Sequence, residues 1–205
     1  MKKARPIVMV SSSVYGQEEL LDRIYVLLTS LGYEVWMSHR GSVPTNSNET
    51  TLESCLKAVE NCDSFLGVIT TDYGTTSAGE ISITHQEFRK AIALKKPRWF
   101  LVNDRVIFAR QLLSKMGYKT PEERHRLGLK QLRPCLSDLR IIDMYEEATE
   151  KRIEDGQAKV KWVQKFYDTD DASIFTQTQF YRFLDAEKSI REQYPDLKSK
   201  QGGRK

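Results

Sequence analysis

Gly79–Val102, GEISITHQEFRKAIALKKPRWFLV, decides the fold. Between Ser82 and Leu94 the apolar residues Phe88, Ala91 and Ile92 recur at helical spacing. A Lys96-Pro97 turn ends that helix, and Arg98–Val102 follows as an apolar strand. Helix, turn and strand make one αβ unit. The helix also carries Glu87. At about 100° per residue, Glu87 falls roughly a quarter turn off the apolar stripe. It is therefore expected to reach the rim of a sheet without being buried.

The same unit recurs on both sides. Upstream, Ile7–Val10 is a short apolar run stopped by Ser11, Ser12 and Ser13, and reads as a first strand. Gln17–Leu31 is an amphipathic helix with Gly32 at its stop, and Glu34–Ser38 is a second strand. The loop GSVPTNSN, 41–48, leads to a helix at Thr51–Asn61 and a third strand at Ser64–Thr70. Downstream, Val106–Met116 is helical, Thr120–Leu139 partly so, and Leu139–Met144 reads as a fifth strand. The alternation predicts a three-layer α/β sandwich over residues 1–145, with a mostly parallel five-stranded sheet.

Residues 146–195 read as a strand-helix extension packed on the same domain. Glu146–Gly156 is charged and expected to be helical, and Lys161–Phe166 is a strand candidate. Asp168–Asp171 is placed to cap a final helix over Ala172–Glu192. Residues 196–205 are expected to form a disordered basic tail.

With 40% apolar and 29% charged residues in 205, the chain can bury a core. No apolar run approaches the roughly 20 residues that cross a bilayer, so no membrane partner is expected. The basic start is followed by too short an apolar run for a signal peptide. Three cysteines, Cys55, Cys62 and Cys135, without a CxxC pair fit reduced thiols and a cytoplasmic location. The net charge of +4 resides in the ends. Lys2, Lys3, Arg5, Lys198, Lys200, Arg204 and Lys205 carry seven positive charges, and without them residues 6–196 stand at −3. A nucleic-acid partner is therefore not expected, since such binders carry a basic stripe on the folded part. The chain has no phosphate-loop lysine motif, no GxGxxG and no GxSxG.

Open parallel sheets bind ligands outside the carboxyl ends of their strands, where the strand order switches. That rule selects Ser11–Gly16 and Thr70–Gly79, both rich in hydroxyls and glycine. Candidate ligand-binding residues there are Ser11, Ser12, Ser13, Tyr15, Asp72, Tyr73 and Gly74. The serine hydroxyls and nearby backbone N–H groups suit a phosphate or a ribose. Tyr15, Tyr73 or Trp36 could stack on a base, or could simply pack. His85 could bond Glu87 or a ligand, or serve a structural bond outside the site. Glu80, in the loop before the helix, is a rival carboxylate.

Glu87, Ala91, Ala93, Lys96 and Pro97 together resemble the nucleophile helix of nucleoside 2-deoxyribosyltransferases, although Arg89 stands where that family has glycine. Asp63 or Asp72 resembles that family's aspartate. The layout is also similar to NAD-cleaving TIR domains, which have a flavodoxin-like strand order, a serine-rich first loop and a helical glutamate. The segments VSSSVYGQEELLDRIYVLLTSLGYEVWMS, CLKAVENCDSFLGVITTDYG, LRIIDMYEEA and KWVQKF, with the Glu87 helix, resemble the bacterial family called domain of unknown function 4062. The resemblance runs from about Ile7 to Phe180. It implies a flavodoxin-like, TIR-like fold and Glu87 as catalytic carboxylate at an N-glycosidic bond. The expected ligand is NAD or another nucleotide, as substrate and not as a required cofactor. The resemblance further implies a role in bacterial defence or signalling, as an enzyme or as a silent interaction or sensing module. With no appended effector expected, a homo-oligomer or a signalling protein is the expected partner.

Overall fold

Strand propensity and helical periodicity resolve into the following elements. They are β1 (Ile7–Ser12), α1 (Glu18–Ser30), β2 (Glu34–Trp36), α2 (Thr51–Asn61), β3 (Ser64–Ile69), α3 (Ile83–Ala93) and β4 (Arg98–Asn103). Then come α4 (Asp104–Lys115), α5 (Pro121–His125), α6 (Arg140–Thr149), β5 (Ile153–Glu154), β6 (Gln157–Ala158), β7 (Trp162–Phe166) and α7 (Thr169–Gln193). The computed structural model describes residues 5–76, 81–127, 135–149, 153–154, 157–158 and 162–193. The basic tail and Glu80 lie outside them.

Five strands pair in the order β2-β1-β3-β4-β7, and every pairing is parallel. This is the flavodoxin order, with β7 in the last place. Two expectations change here. Leu139–Met144 is not a strand; it opens α6. A short apolar run suits either period, and here Ile141, Met144 and Ala148 are buried at helical spacing. Asp138 starts that helix by accepting from the Arg140 N–H at 2.8 Å. The fifth strand is Trp162–Phe166 instead. The helix expected over Glu146–Gly156 ends at Thr149, and Ile153–Glu154 pairs antiparallel with Gln157–Ala158. Asp168 does cap α7, accepting from the Asp171 N–H at 2.9 Å.

Strand alternation sends successive side chains into two layers. Met9, Phe65, Phe100 and Val102 meet Phe88, Ala91 and Ile92 of α3, Ala58 and Val59 of α2, and Ile142 of α6. Val8, Val10, Leu66, Val68 and Leu101 meet Leu20, Leu21, Ile24 and Leu28 of α1, with Ala172 and Phe180 of α7. Phe180 is fully buried, its ring 4.7 Å from that of Trp99 and 5.5 Å from that of Tyr33. The Tyr33 hydroxyl donates to the Phe180 carbonyl at 2.9 Å. Among the described residues no helix is long and apolar enough to cross a membrane.

Gly67 sits mid-strand in β3, in register with Ser11 on one side and Phe100 on the other. A Cβ there would stand 2.6 Å from both Phe88 Cζ and Phe100 Cδ1. The bare backbone lets the Phe88 ring drop onto the sheet, so α3 lies close over β3. Gly67→Ala is expected to overpack this contact and to cost about 1–3 kcal/mol. The measurement is a urea midpoint, which should fall at unchanged slope.

Candidate functional site

At the carboxyl ends of β1 and β3, where the strand order switches, a cavity of about 470 Å³ opens. That is within the usual range for a small-molecule site. The loop after β1 contributes Ser12, Ser13, Val14 and Tyr15, and the loop after β3 contributes Asp72, Gly74 and Thr75. Ile83, Thr84 and Glu87 come from α3, Thr51 and Cys55 from α2, and Ser38 from the turn after β2.

Glu87 is 4% exposed, so the expectation of an unburied rim position does not hold. The close seat of α3 carries its carboxyl beneath the end of β1. Ser11 shares the sheet face of Met9 and Gly67, and its Oγ donates to Glu87 Oε2. Burial pushes the Glu87 carboxyl above the ordinary carboxylate range, and hydrogen bonds from Ser11 and Cys55 offset part of that. Burial, followed by the Glu87 charge, pushes the Cys55 thiol up to about 12. The thiol is therefore a neutral donor, not a nucleophile.

The two hydroxyl-rich loops are tied together. Ser13 Oγ and Thr70 Oγ1 lie 2.6 Å apart, and Ser13 Oγ donates to the Asp72 carbonyl at 2.8 Å. Ser12 Oγ donates to the Ser13 carbonyl at 2.8 Å. The Asp72 carboxylate accepts from the Gly74 N–H at 3.1 Å. Gly74 has φ of +83°, a left-handed conformation that glycine adopts without penalty. Tyr15 is 69% exposed at the cavity mouth.

The structure does not bring the other candidates to this cavity. Trp36 borders a separate depression with Pro44 and Asn61, and its Nε1 donates to Glu34 Oε1 at 2.8 Å. Asp63 precedes β3 at the amino end of the sheet, where it accepts from the Ile7 N–H at 2.8 Å. Tyr73 points inward, with its hydroxyl 2.7 Å from His85 Nδ1 and the Arg140 guanidinium 4.6 Å above its ring. His85 is buried on the α6 side of α3. Two helical steps amount to about 200°, so His85 and Arg89 face away from Glu87.

His85 Nε2 lies 3.2 Å from Glu147 Oε2, too poorly aligned for a full hydrogen bond. Arg89 grips the same carboxylate in a fork, at 2.9 and 2.6 Å. Burial works against the Glu147 charge, but His85 and Arg89 outweigh it and hold the carboxyl at about 2. Arg89 thus does not project into the cavity. Cys55 and Thr84 line the cavity without being among the expected residues. Cys55 reads as core from sequence, while Thr84 had a usable signal, one helical turn before Glu87. Among the described residues no group of three or more His, Cys, Asp or Glu side chains is arranged to hold a metal ion.

Strand order, switch-point cavity and buried glutamate define a flavodoxin-type α/β domain with a carboxylate-floored cleft. Residues 7–180 match the family described as Domain of unknown function (DUF4062), and the chain belongs to it. Among solved structures, the TIR domains of the activated Roq1 resistosome, which directly recognizes the pathogen effector XopQ, are similar at 11% identity. The TM-score is 0.44, over 69% of this chain and 82% of that one. A 2-deoxyribosyltransferase from the psychrotolerant bacterium Bacillus psychrosaccharolyticus is similar at 17% identity, with a TM-score of 0.33, over 47% of this chain and 72% of that one. No curated protein matches the chain.

The two perturbed carboxylates give opposite pH signatures. Glu87, raised on folding, supports the fold below the ordinary carboxylate range, and that support is lost as pH rises through its folded pKa. Glu87→Gln should therefore gain on the wild type as pH rises above that range. The gain is at most about 1.4 kcal/mol per pH unit within the window, and parallel thermal melts will read it. Glu147, depressed on folding, contributes stability above the ordinary range and loses it as pH falls toward about 2. Glu147→Gln should cost about 1–2 kcal/mol at neutral pH, allowing for solvent screening of this half-exposed group. In acid titrations followed by circular dichroism, that deficit should vanish.

Proposed function

We propose that the cleft binds NAD or another nucleotide, and that Glu87 serves cleavage or transfer at its N-glycosidic bond. The observation that supports this is a buried, desolvated carboxyl opening onto a hydroxyl-lined cavity at the strand switch. In such a reaction the bond from the anomeric carbon to the base nitrogen breaks, and its electron pair leaves with the base. Positive charge develops on the anomeric carbon and ring oxygen. Water or an acceptor hydroxyl then adds at that carbon and releases a proton.

A carboxylate held out of water interacts more strongly with this developing charge than an exposed one. Its raised pKa has the same origin, and a cationic ligand beside it would restore the ionised form. The Ser11 hydroxyl orients the carboxyl by its hydrogen bond. The Tyr15 ring at the mouth offers a face to a base. This reading extends to a module of bacterial defence or signalling that works with a second copy or a partner protein. A silent sensing module is the alternative, because a neutral Glu87 can bind a ligand without turnover.

The test is incubation of the purified protein, over a range of protein concentrations, with NAD and with nucleoside 5′-monophosphates. Base release is followed by chromatography. Release is expected, with Glu87→Gln slower by at least about 100-fold. Equal release by Glu87→Gln would remove Glu87 from catalysis. Binding without release at any concentration would leave the sensing module.

A further inference from the structure

Thr84 is the enclosed member of a set of hydroxyls that line the cavity, since Ser38, Thr51 and Thr75 are exposed. Ser11, Ser12, Ser13 and Thr70 are all engaged in hydrogen bonds. Thr84 is 7% exposed and lines the cavity, yet its Oγ1 has no hydrogen-bond partner among the described residues. The side chain is enclosed while its Oγ1 stays accessible from the cavity, so a ligand hydroxyl seated there can take the place of water as its partner. Gly74 of the facing loop does not obstruct it. Gly74 has no side chain, and a Cβ there would stand 3.4 Å from Thr84 Oγ1.

Thr84 and Glu87 are three apart on α3, so their Cβ atoms are about 5–6 Å from each other on one face. One pentose ring spans that separation, with its anomeric carbon at the carboxyl and a ring hydroxyl at Thr84. The described lining residues include two carboxylates, Asp72 and Glu87, and no lysine, arginine or histidine. Such a wall suits sugar hydroxyls and leaves a phosphate without a cationic side chain to hold it.

We propose that Thr84 Oγ1 hydrogen-bonds a ring hydroxyl of a pentose seated in the cavity, making the site selective for ribosyl over deoxyribosyl ligands. This rests on the nucleotide reading of the cleft and names the sugar that it takes. A hydroxyl poised for a substrate hydroxyl discriminates against the analogue that lacks it, because its own partner is then lost.

The experiment is calorimetric titration of the full chain with adenosine 5′-monophosphate and its 2′-deoxy and 3′-deoxy counterparts. The wild type should bind the ribonucleotide about fivefold to tenfold more tightly than one of the two deoxy forms. Thr84→Ser should keep that preference. Thr84→Val, nearly equal in shape, should weaken the ribonucleotide by the same factor and abolish the preference. No preference in the wild type, a preference that survives in Thr84→Val, or no binding by any of the three overturns the proposal. These readings are equilibrium affinities. A failure of base release with the preference intact refutes the enzymatic reading alone, and base release with an unaltered Thr84→Val refutes this one alone.

Discussion

A missing side chain at the centre of the sheet controls the geometry of the cleft. Gly67 leaves room for the Phe88 ring against the backbone of β3, and Phe88 adjoins Glu87 on the same helix. Phe88 also packs on Phe65 and Phe100, with ring centroids 5.6 and 5.1 Å apart. The depth of that contact sets the distance from α3 to the sheet. Ser11, level with Gly67 one strand over, is thereby within hydrogen-bonding reach of Glu87. Packing inside the core and chemistry at its edge are thus consequences of the same close approach.

The helix α3 carries two electrostatic environments on opposite faces. Toward α2 and β1, the described partners of Glu87 are a hydroxyl and a thiol, so burial dominates and the acid resists ionisation. Toward α6, Arg89 and His85 surround Glu147, and the carboxyl is held ionised far into acid. Residue type does not distinguish these carboxylates; the presence of a cation does. The first face carries a stability cost at neutral pH, as sites prepared for a ligand commonly do. The second stiffens the helix that presents the first, through the ion pair to α6 and the Tyr73–His85 contact.

Legibility followed the range of the interactions involved. The helix at 83–93, the Lys96-Pro97 turn and β4 were readable because period and turn chemistry act over a few residues. The serine loop was readable because strand order implies where parallel sheets open. Leu139–Met144 is a brief apolar run with no period of its own, and its helix is settled by contacts with the sheet. Trp36 and Asp63 carry chemistry suited to a site, but their strands place them beside another depression and at the opposite end of the sheet. Tyr73 lies in the right loop and turns inward, drawn by His85 and Arg140. Cys55 looked like core, and it is buried; only the approach of α2 to α3 makes it a partner of Glu87.

By itself, the sequence determined the alternation of strands and helices, the mostly parallel character of the sheet that this alternation demands, and the two loops that border the cleft. These follow from local periodicity and from the rule that parallel strands need crossover helices. Tertiary structure alone decided that β7 closes the sheet, that Glu87 is buried on Ser11 with its pKa raised, and that Thr84 faces the cavity unbonded to any described residue. Each depends on how closely distant segments approach, and that distance is set by side-chain volume at contacts far apart in the chain.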